Sequence, residues 1–384
     1  MNLLAVAGEL SGDAHGGPLL RELSARIPGV SVEGIGGPQM LEEGLSPLFP
    51  LESLQVHGLV EVVRHLPRLY RILWALEARM DAAPPDAVLL IDYPGFNLRV
   101  ARAAKARGIP VCWYSSPQVW AWRRRRLLVI SQVVDKIVVL FPFEVPLYTR
   151  IGVDAEFAGH PLVGQEATEE EVQTLRSSLD LEPGLPVVGV MPGSRPSELA
   201  RNLPPLLEAI GLIGESGYRA NYVLPLAPTL ERRSAEAMIA AARAPVRIAP
   251  GGFLPLLKLA DLAMVASGTA TLQVGLAGVP FLVVYRVSPL TYWFAKRVAY
   301  VQHIAMVNIL AEREVVPELV QGDFTPERVR DTFLAIARDE ARQAQMRREL
   351  KALATSLGQP GAYERGAVAI AEFLRERATR AMEG

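Results

Sequence analysis

The sequence predicts an α/β fold of two doubly wound, parallel-sheet halves that face each other across a cleft. Three observations carry this. Apolar, β-branched runs of strand length recur in both halves, and most give way to a small-residue turn and then a helical pattern, the order of a βαβ unit. A polar, Glu-rich stretch over residues 162–185, ending in EPGLP, interrupts the alternation, which restarts at Val187. The length of 384 residues, half of them apolar, suffices for two ordinary cores.

The totals exclude several classes. Lys and Arg number 40 against 41 Asp and Glu, a net charge of −1, so no general attraction to nucleic acid is expected. The single cysteine, Cys112, lies in the apolar run IPVCWY and reads as a core thiol. One cysteine rules out an intramolecular disulfide framework and fits a reducing cytoplasm. The start, MNLLAVAGEL, has no basic n-region and too short an apolar run for a signal peptide. The best membrane-span candidate, residues 127–143, is broken by Asp135 and Lys136, so a soluble or peripheral protein is expected. His15, His57, His65, His160 and His303 are scattered without metal-ligand spacing, and no zinc site is expected. There is no GxSxG elbow, Walker A loop or kinase signature.

Residues 3–7 read as the first strand. GELSGDAHGG follows as a polar, Gly-rich turn ahead of a helix over 18–27, without the GxGxxG fingerprint. Glu9, Ser11 and Asp13 then stand at the carboxyl end of a parallel strand, where open α/β sheets bind ligands. Equally, Ser11 or Asp13 could simply cap the helix. Over residues 55–80, Leu66, Leu69, Tyr70, Leu73 and Leu76 share one helical face, with Arg64, Arg68, Arg71 and Arg79 interleaved and Pro67 dividing the region into two helices. Such a segment is either a core helix with a solvated face or an amphipathic helix lying on an anionic bilayer; Tyr70 and Trp74 suit the bilayer interface. Residues 87–91 form a buried strand ending in IDYPGFN, which places Asp92 at its carboxyl tip. A carboxylate there could take a proton from a bound hydroxyl, or form an Asx turn. A helix over 98–107 and a strand over 110–114 complete the unit. SPQVWAWRRRR then sets Trp120 and Trp122 beside Arg123 to Arg126, either a solvated face or a grip on phosphate or lipid headgroups. A strand over 136–141 and the AGHP turn close this half.

Across the join, Thr168 and Glu171 have capping-box spacing on a short helix. The second half opens on VVGVMPGSRPSELA. Val187, Val188 and Val190 form a buried strand, Pro192 and Gly193 break it, and Ser194 is placed to cap the next helix. A helix start of this kind leaves backbone N–H groups and the positive dipole end for a phosphate, which Arg195 could grip with two bonds. Residues 222–225 and 246–252 read as strands, the second ending in a turn whose backbone could meet a base edge. ADLAMVASGTAT repeats the strand–turn–helix pattern, with Ser267, Gly268 and Thr269 as the turn. Two such anion sites in one half strengthen the phosphate reading, and Gln273 in the following helix could bind a ribose hydroxyl. Asn308, polar among apolar neighbours in MVNILAER, requires a defined partner. Helices follow Pro326.

With GELSGD, IDYPGFN, SPQVWAWR, FPFE, GHP, PGSR, SGTAT and VNILAER in this order over residues 3–320, the chain resembles the lipid-A-disaccharide synthase family. The resemblance implies a GT-B glycosyltransferase with two Rossmann-like halves, here 1–163 and 186–345, and a helical tail over 346–384 packing back on the first. It implies transfer from UDP-2,3-diacylglucosamine to 2,3-diacylglucosamine 1-phosphate (lipid X), with inversion, giving the β-1,6 disaccharide and UDP. It also implies a peripheral place on the cytoplasmic face of the inner membrane, no cofactor and no metal; a homodimer stays open. By position, Asp92 matches the family's acidic residue, Arg195 the PGSR arginine and Asn308 the asparagine of its segment. Glu9 and Asp13 stand as alternative bases. Gln273 replaces a usual Glu, and Glu312 a usual Gly. Two other readings remain at this point. One is an enzyme like UDP-N-acetylglucosamine 2-epimerase, which needs no membrane face. The other is a membrane-surface protein that binds nucleotide sugars without turnover.

Overall fold

The computed structural model describes residues 1–54, 59–120, 125–249, 252–288, 292–293, 297 and 302–383, and only the backbone of 59–64 and 381–383. Gln55, His57, Trp122, Arg123, Arg124, Pro250 and Gly251 therefore lie outside the described residues, as does the side chain of Arg64. The chain divides into two compact units, residues 1–161 with 357–384, and residues 162–356.

Unit 1 is built on a seven-stranded parallel sheet in the order β3-β2-β1-β4-β5-β6-β7. The strands are β1 (Asn2–Ala7), β2 (Ser31–Gly36), β3 (Leu45–Pro50), β4 (Ala87–Ile91), β5 (Val111–Tyr114), β6 (Lys136–Val139) and β7 (Asp154–Phe157). The central strands β4 and β5 are buried at every position, as expected where helices cover both faces. Strands β2 and β3 escaped the sequence reading because SVEGIG and LSPLFP carry Gly and Pro, which normally punctuate strands. The connecting helices are α1 (Leu10–Arg26), α2 (Pro38–Glu42), α3 (Leu59–Ala82), α4 (Pro94–Ala106), α5 (Arg126–Val133) and α6 (Glu144–Thr149). Contrary to expectation, the Gly-rich GELSGDAHGG is not a turn. Helix α1 starts at Leu10 with Glu9 as N-cap, so neither Ser11 nor Asp13 caps it. Pro67 does not divide α3, which runs unbroken; the ring stands on the exposed side.

Unit 2 carries a six-stranded parallel sheet in the order β10-β9-β8-β11-β12-β13. The strands are β8 (Val187–Met191), β9 (Asn221–Pro225), β10 (Val246–Ala249), β11 (Leu262–Ala266), β12 (Phe281–Tyr285) and β13 (Glu318–Val320). The helices are α7 (Glu169–Ser178), α8 (Pro196–Glu215), α9 (Arg232–Ala242), α10 (Phe253–Leu259), α11 (Thr269–Leu276), α12 (Met306–Ala311), α13 (Pro326–Ala337) and α14 (Glu340–Ser356). The expected capping box opens α7: Thr168 Oγ1 accepts the Glu171 amide at 3.2 Å, and Glu171 Oε2 accepts the Thr168 amide at 2.7 Å.

The C-terminal residues do not form one tail. Helix α14 packs on α11 and α13 in unit 2, and only α15 (Ala362–Glu383) returns to unit 1, against α1 and β6. There His15 Nδ1 and Tyr363 Oη are 3.1 Å apart, Arg26 meets Glu364 at 3.1 Å, and Arg377 meets Asp135 at 2.8 Å.

Candidate active site

In each sheet the strand order reverses at one place: between β1 and β4 in unit 1, and between β8 and β11 in unit 2. A crevice opens beyond the carboxyl ends of two such strands, because their crossover helices leave on opposite faces. The GELSGD, IDYPGFN, PGSR and SGTAT segments follow these four strands.

In unit 1, Asp92 follows β4 and Glu9 follows β1. Asp92 and Tyr93 both adopt left-handed backbone, with φ of 48° and 47°, a strained pairing for two residues with side chains. Surrounding contacts hold it. Asn97 Nδ2, fully buried in α4, donates to the Val6, Ile91 and Asp92 carbonyls at 3.2, 3.2 and 2.8 Å, tying the ends of β1 and β4 together. Tyr93 Oη donates to the Leu54 carbonyl at 2.7 Å. The Tyr93 ring fills the space a side chain at residue 8 would need: a Cβ on Gly8 would stand 1.9 Å from Cδ1. Asp92 is half-buried, Ser11 Oγ donates to its Oδ2 at 3.5 Å, and burial raises its pKa above the usual aspartate value. The strained turn thus presents a carboxylate more basic than an exposed one. Glu9 is exposed, and its charge contributes to the raised pKa of the Tyr93 hydroxyl.

Asp13 does not join this group. It is 2 % exposed, and its oxygens accept the amides of Gly37, Gln39 and Met40 at 2.9, 3.1 and 3.0 Å. It holds the N-terminus of α2 rather than serving as a base. Two further motifs also have structural work. Glu144 of FPFE is buried, with Ser116 Oγ and Trp120 Nε1 of SPQVW donating to it at 2.6 and 3.0 Å. Burial pushes its carboxyl up to about 7. Cys112 is buried with its thiol pKa raised, which makes it inert.

In unit 2 the two expected anion turns differ. The PGSR turn is closed by its own helix. The amides of Ser194 and Arg195 both donate to Glu198 Oε2, at 3.0 and 3.3 Å, and Ser194 does not cap α8. Glu198 stands three residues after the N-cap, where capping-box spacing could have revealed it. What remains for a ligand is the Arg195 guanidinium, its side chain 77 % exposed and 3.3 Å from Glu198. The SGT turn is open. Gly268 has φ 153°, which favours glycine, and a Cβ there would meet nothing within 4 Å. Gly268 and Thr269 are exposed at the start of α11, where the first helix amides and the positive dipole end lie. Ser267 is not a free ligand: its hydroxyl donates to the Ile304 carbonyl at 2.9 Å and its amide to that of Val284 at 3.1 Å. Gln273 lies one turn along α11, about 6 Å from Thr269, and lines a cavity of about 420 Å³ with Leu254, Lys258 and residues 162–167.

Asn308 has the partners its setting demanded, and they are structural. Its Oδ1 accepts the Val315 and Val316 amides at 2.7 and 3.0 Å, and Nδ2 donates to the Val316 carbonyl and to Glu318. It is fully buried, so direct contact with a nucleotide is corrected to bracing of the loop. Glu312, at φ 53°, keeps the left-handed conformation a glycine would take more cheaply.

Of the residues expected to touch a membrane, Tyr70 and Trp74 are 41 % and 61 % exposed, their ring centroids 6.2 Å apart. Leu73 is corrected: it is 7 % exposed and sits in the core with Ile72, Leu76 and Met80. Leu69 is half-buried against the same core, and Leu66 is half-buried.

The family model described as lipid-A-disaccharide synthetase matches residues 3–373. The chain belongs to that family. A lipid-A-disaccharide synthase of Syntrophus aciditrophicus is 42 % identical over 376 residues, covering 97 % of this chain and 98 % of the relative. The chain is accordingly a glycosyltransferase of lipid A disaccharide formation. Solved structures share the GT-B fold at low identity. The MurG structure of Acinetobacter baumannii has a TM-score of 0.58 at 16 % identity, covering 98 % of this chain and 99 % of that one. A UDP-GlcNAc 2-epimerase of Neisseria meningitidis, bound to UDP-GlcNAc, has 0.61 at 12 %, covering 98 % and 100 %. The fold alone does not choose between transfer and epimerisation; membership of the synthetase family does. Among the described residues no helix is long and apolar enough to cross a membrane, and no three His, Cys, Asp or Glu side chains are grouped to hold a metal ion.

Proposed function

We propose that Asp92 is the general base of an inverting transfer. It takes the proton from the 6-hydroxyl of 2,3-diacylglucosamine 1-phosphate as that oxygen attacks the anomeric carbon of UDP-2,3-diacylglucosamine. The new bond is β-1,6, and UDP leaves with the electrons of the broken C–O bond. Glu9 stays the alternative base. The observation that carries this reading is the complementary chemistry of the two switch points, a carboxylate of raised pKa in unit 1 and an open anion turn in unit 2.

The amides of Gly268 and Thr269 and the dipole of α11 stabilise the charge growing on the leaving diphosphate, assisted by the Arg195 guanidinium. This division follows from Glu198, which already fills the PGSR turn. Gln273, one turn along α11 from Thr269, supplies the amide for a ribose hydroxyl. No step calls for a divalent cation, so turnover is expected to persist in EDTA.

Both substrates carry acyl chains, and α3 offers Tyr70 and Trp74 beside Arg71 on one exposed face. We place the protein peripherally on the cytoplasmic face of the inner membrane, with that face at the bilayer. A homodimer, and contact of the arginines at 123–126 with anionic headgroups, belong to the same reading. The test is Asp92→Ala. It is expected to lower kcat by about a hundredfold or more while UDP affinity is kept; retained turnover removes Asp92 from its role.

A further inference from the structure

The open anion turn of unit 2 is braced from behind by hydrogen bonds that end in a partly buried carboxylate, Glu318, the first residue of β13. Its side chain is 9 % exposed. Oε1 accepts the Ala305 amide at 2.9 Å and Asn308 Nδ2 at 2.8 Å, and Oε2 accepts the Ile304 amide at 3.0 Å. Ile304 is the link. Its amide is fixed by Glu318, and its carbonyl accepts Ser267 Oγ at 2.9 Å. A second strand of the brace runs from the Met306 amide to Thr271 Oγ1, in the first turn of α11, at 3.4 Å. The segment 304–306 is thus clamped between Glu318 on one side and the SGT turn on the other.

Among the described residues the one basic side chain within 4 Å of Glu318 is the His303 ring, with Nδ1 at 3.9 Å. A carboxylate buried with so little countercharge is costly unless its lone pairs are filled. Here donors from three residues fill them, and charge-assisted bonds hold a backbone more firmly than neutral ones. An apolar residue at 318 would leave those donors unpaired. We infer that Glu318 is a positioning residue for donor binding: it touches no substrate, yet it fixes Ile304 and, through the Ser267 hydroxyl, the attitude of the Gly268 and Thr269 amides. This rests on the reading of that turn as the seat of the donor diphosphate.

The test is a double-mutant cycle on the full-length protein, with UDP as the binding probe and separate KM values for donor and acceptor. Glu318→Ala is expected to weaken UDP binding and raise donor KM about tenfold, with acceptor KM unchanged. Glu318→Gln is expected to recover most of the loss, because an amide oxygen in place of Oε1, which also lies 3.2 Å from the Ile304 amide, can keep the Ile304, Ala305 and Asn308 bonds. Ser267→Ala cuts the same brace at its far end. It should also weaken UDP binding, and adding Glu318→Ala to it should cost little more. If Glu318→Ala does not fold, Ser267→Ala alone decides: unchanged UDP affinity overturns the inference. So do additive losses in the cycle, or equal rises in donor and acceptor KM. A protein that never binds UDP contradicts the proposed function instead. One that binds UDP but is indifferent to both changes contradicts only the role of Glu318.

Discussion

Asp92 shows how much one residue's environment decides. The strand before it and the Pro-Gly turn after it made its place readable from sequence. Its basicity was not readable, because the burial that raises its pKa comes from tertiary packing. A base works in its ionised form, so activity falls as pH drops through that raised value. The acid limb of kcat/KM is expected above the ordinary aspartate pKa of about 3.9. Ser11, which stabilises the ionised form, should move the limb towards neutral pH when changed to Ala. A limb that stays in place in Ser11→Ala would separate it from Asp92. Asp13 is the opposite case. It lies one helical turn from Glu9, but its partners lie 24 to 27 residues away, and no local pattern exposes them. Asp13→Ala strands the Gly37, Gln39 and Met40 amides, two of them buried, so it is expected to cost about 3 kcal/mol of stability, read as a lowered denaturation midpoint. Near-normal stability with lost turnover would return Asp13 to the list of bases.

At the scale of elements, strand–turn–helix units were legible wherever apolar runs were unbroken, as in β4, β8 and β11. They were missed where Gly and Pro sit inside strands, as in β2 and β3. The anion turns carried the same signal but differ in the structure, because Glu198 fills one while Gly268 and Thr269 of the other are exposed. Helix α3 divides similarly. Its helical spacing was visible, but which leucines face the core depends on the sheet beneath them. Trp74→Ser and Tyr70→Ser are therefore expected to reduce flotation with anionic liposomes while leaving the melting temperature unchanged. Leu73→Ser should instead lower the melting temperature, since it removes a core side chain at about 2 to 5 kcal/mol. Full flotation of the Trp74→Ser, Tyr70→Ser double variant would remove this face from the membrane contact.

For the molecule as a whole, two doubly wound units were legible from the alternation and its interruption near residue 162. The course of the C-terminal helices was not. The segment 340–356 belongs with unit 2 and only 362–383 with unit 1, a partition set by which faces find partners. The same architecture serves transferases and epimerases, so the choice of reaction rests on residues at the two switch points and on the family. The most direct measurement is product analysis by thin-layer chromatography and mass spectrometry, from UDP-2,3-diacylglucosamine with and without lipid X, in detergent and EDTA. Disaccharide 1-phosphate and equimolar UDP are expected only when both substrates are present. UDP binding with no disaccharide across several acyl lengths, or an epimerised donor formed without acceptor, would contradict the proposed transfer.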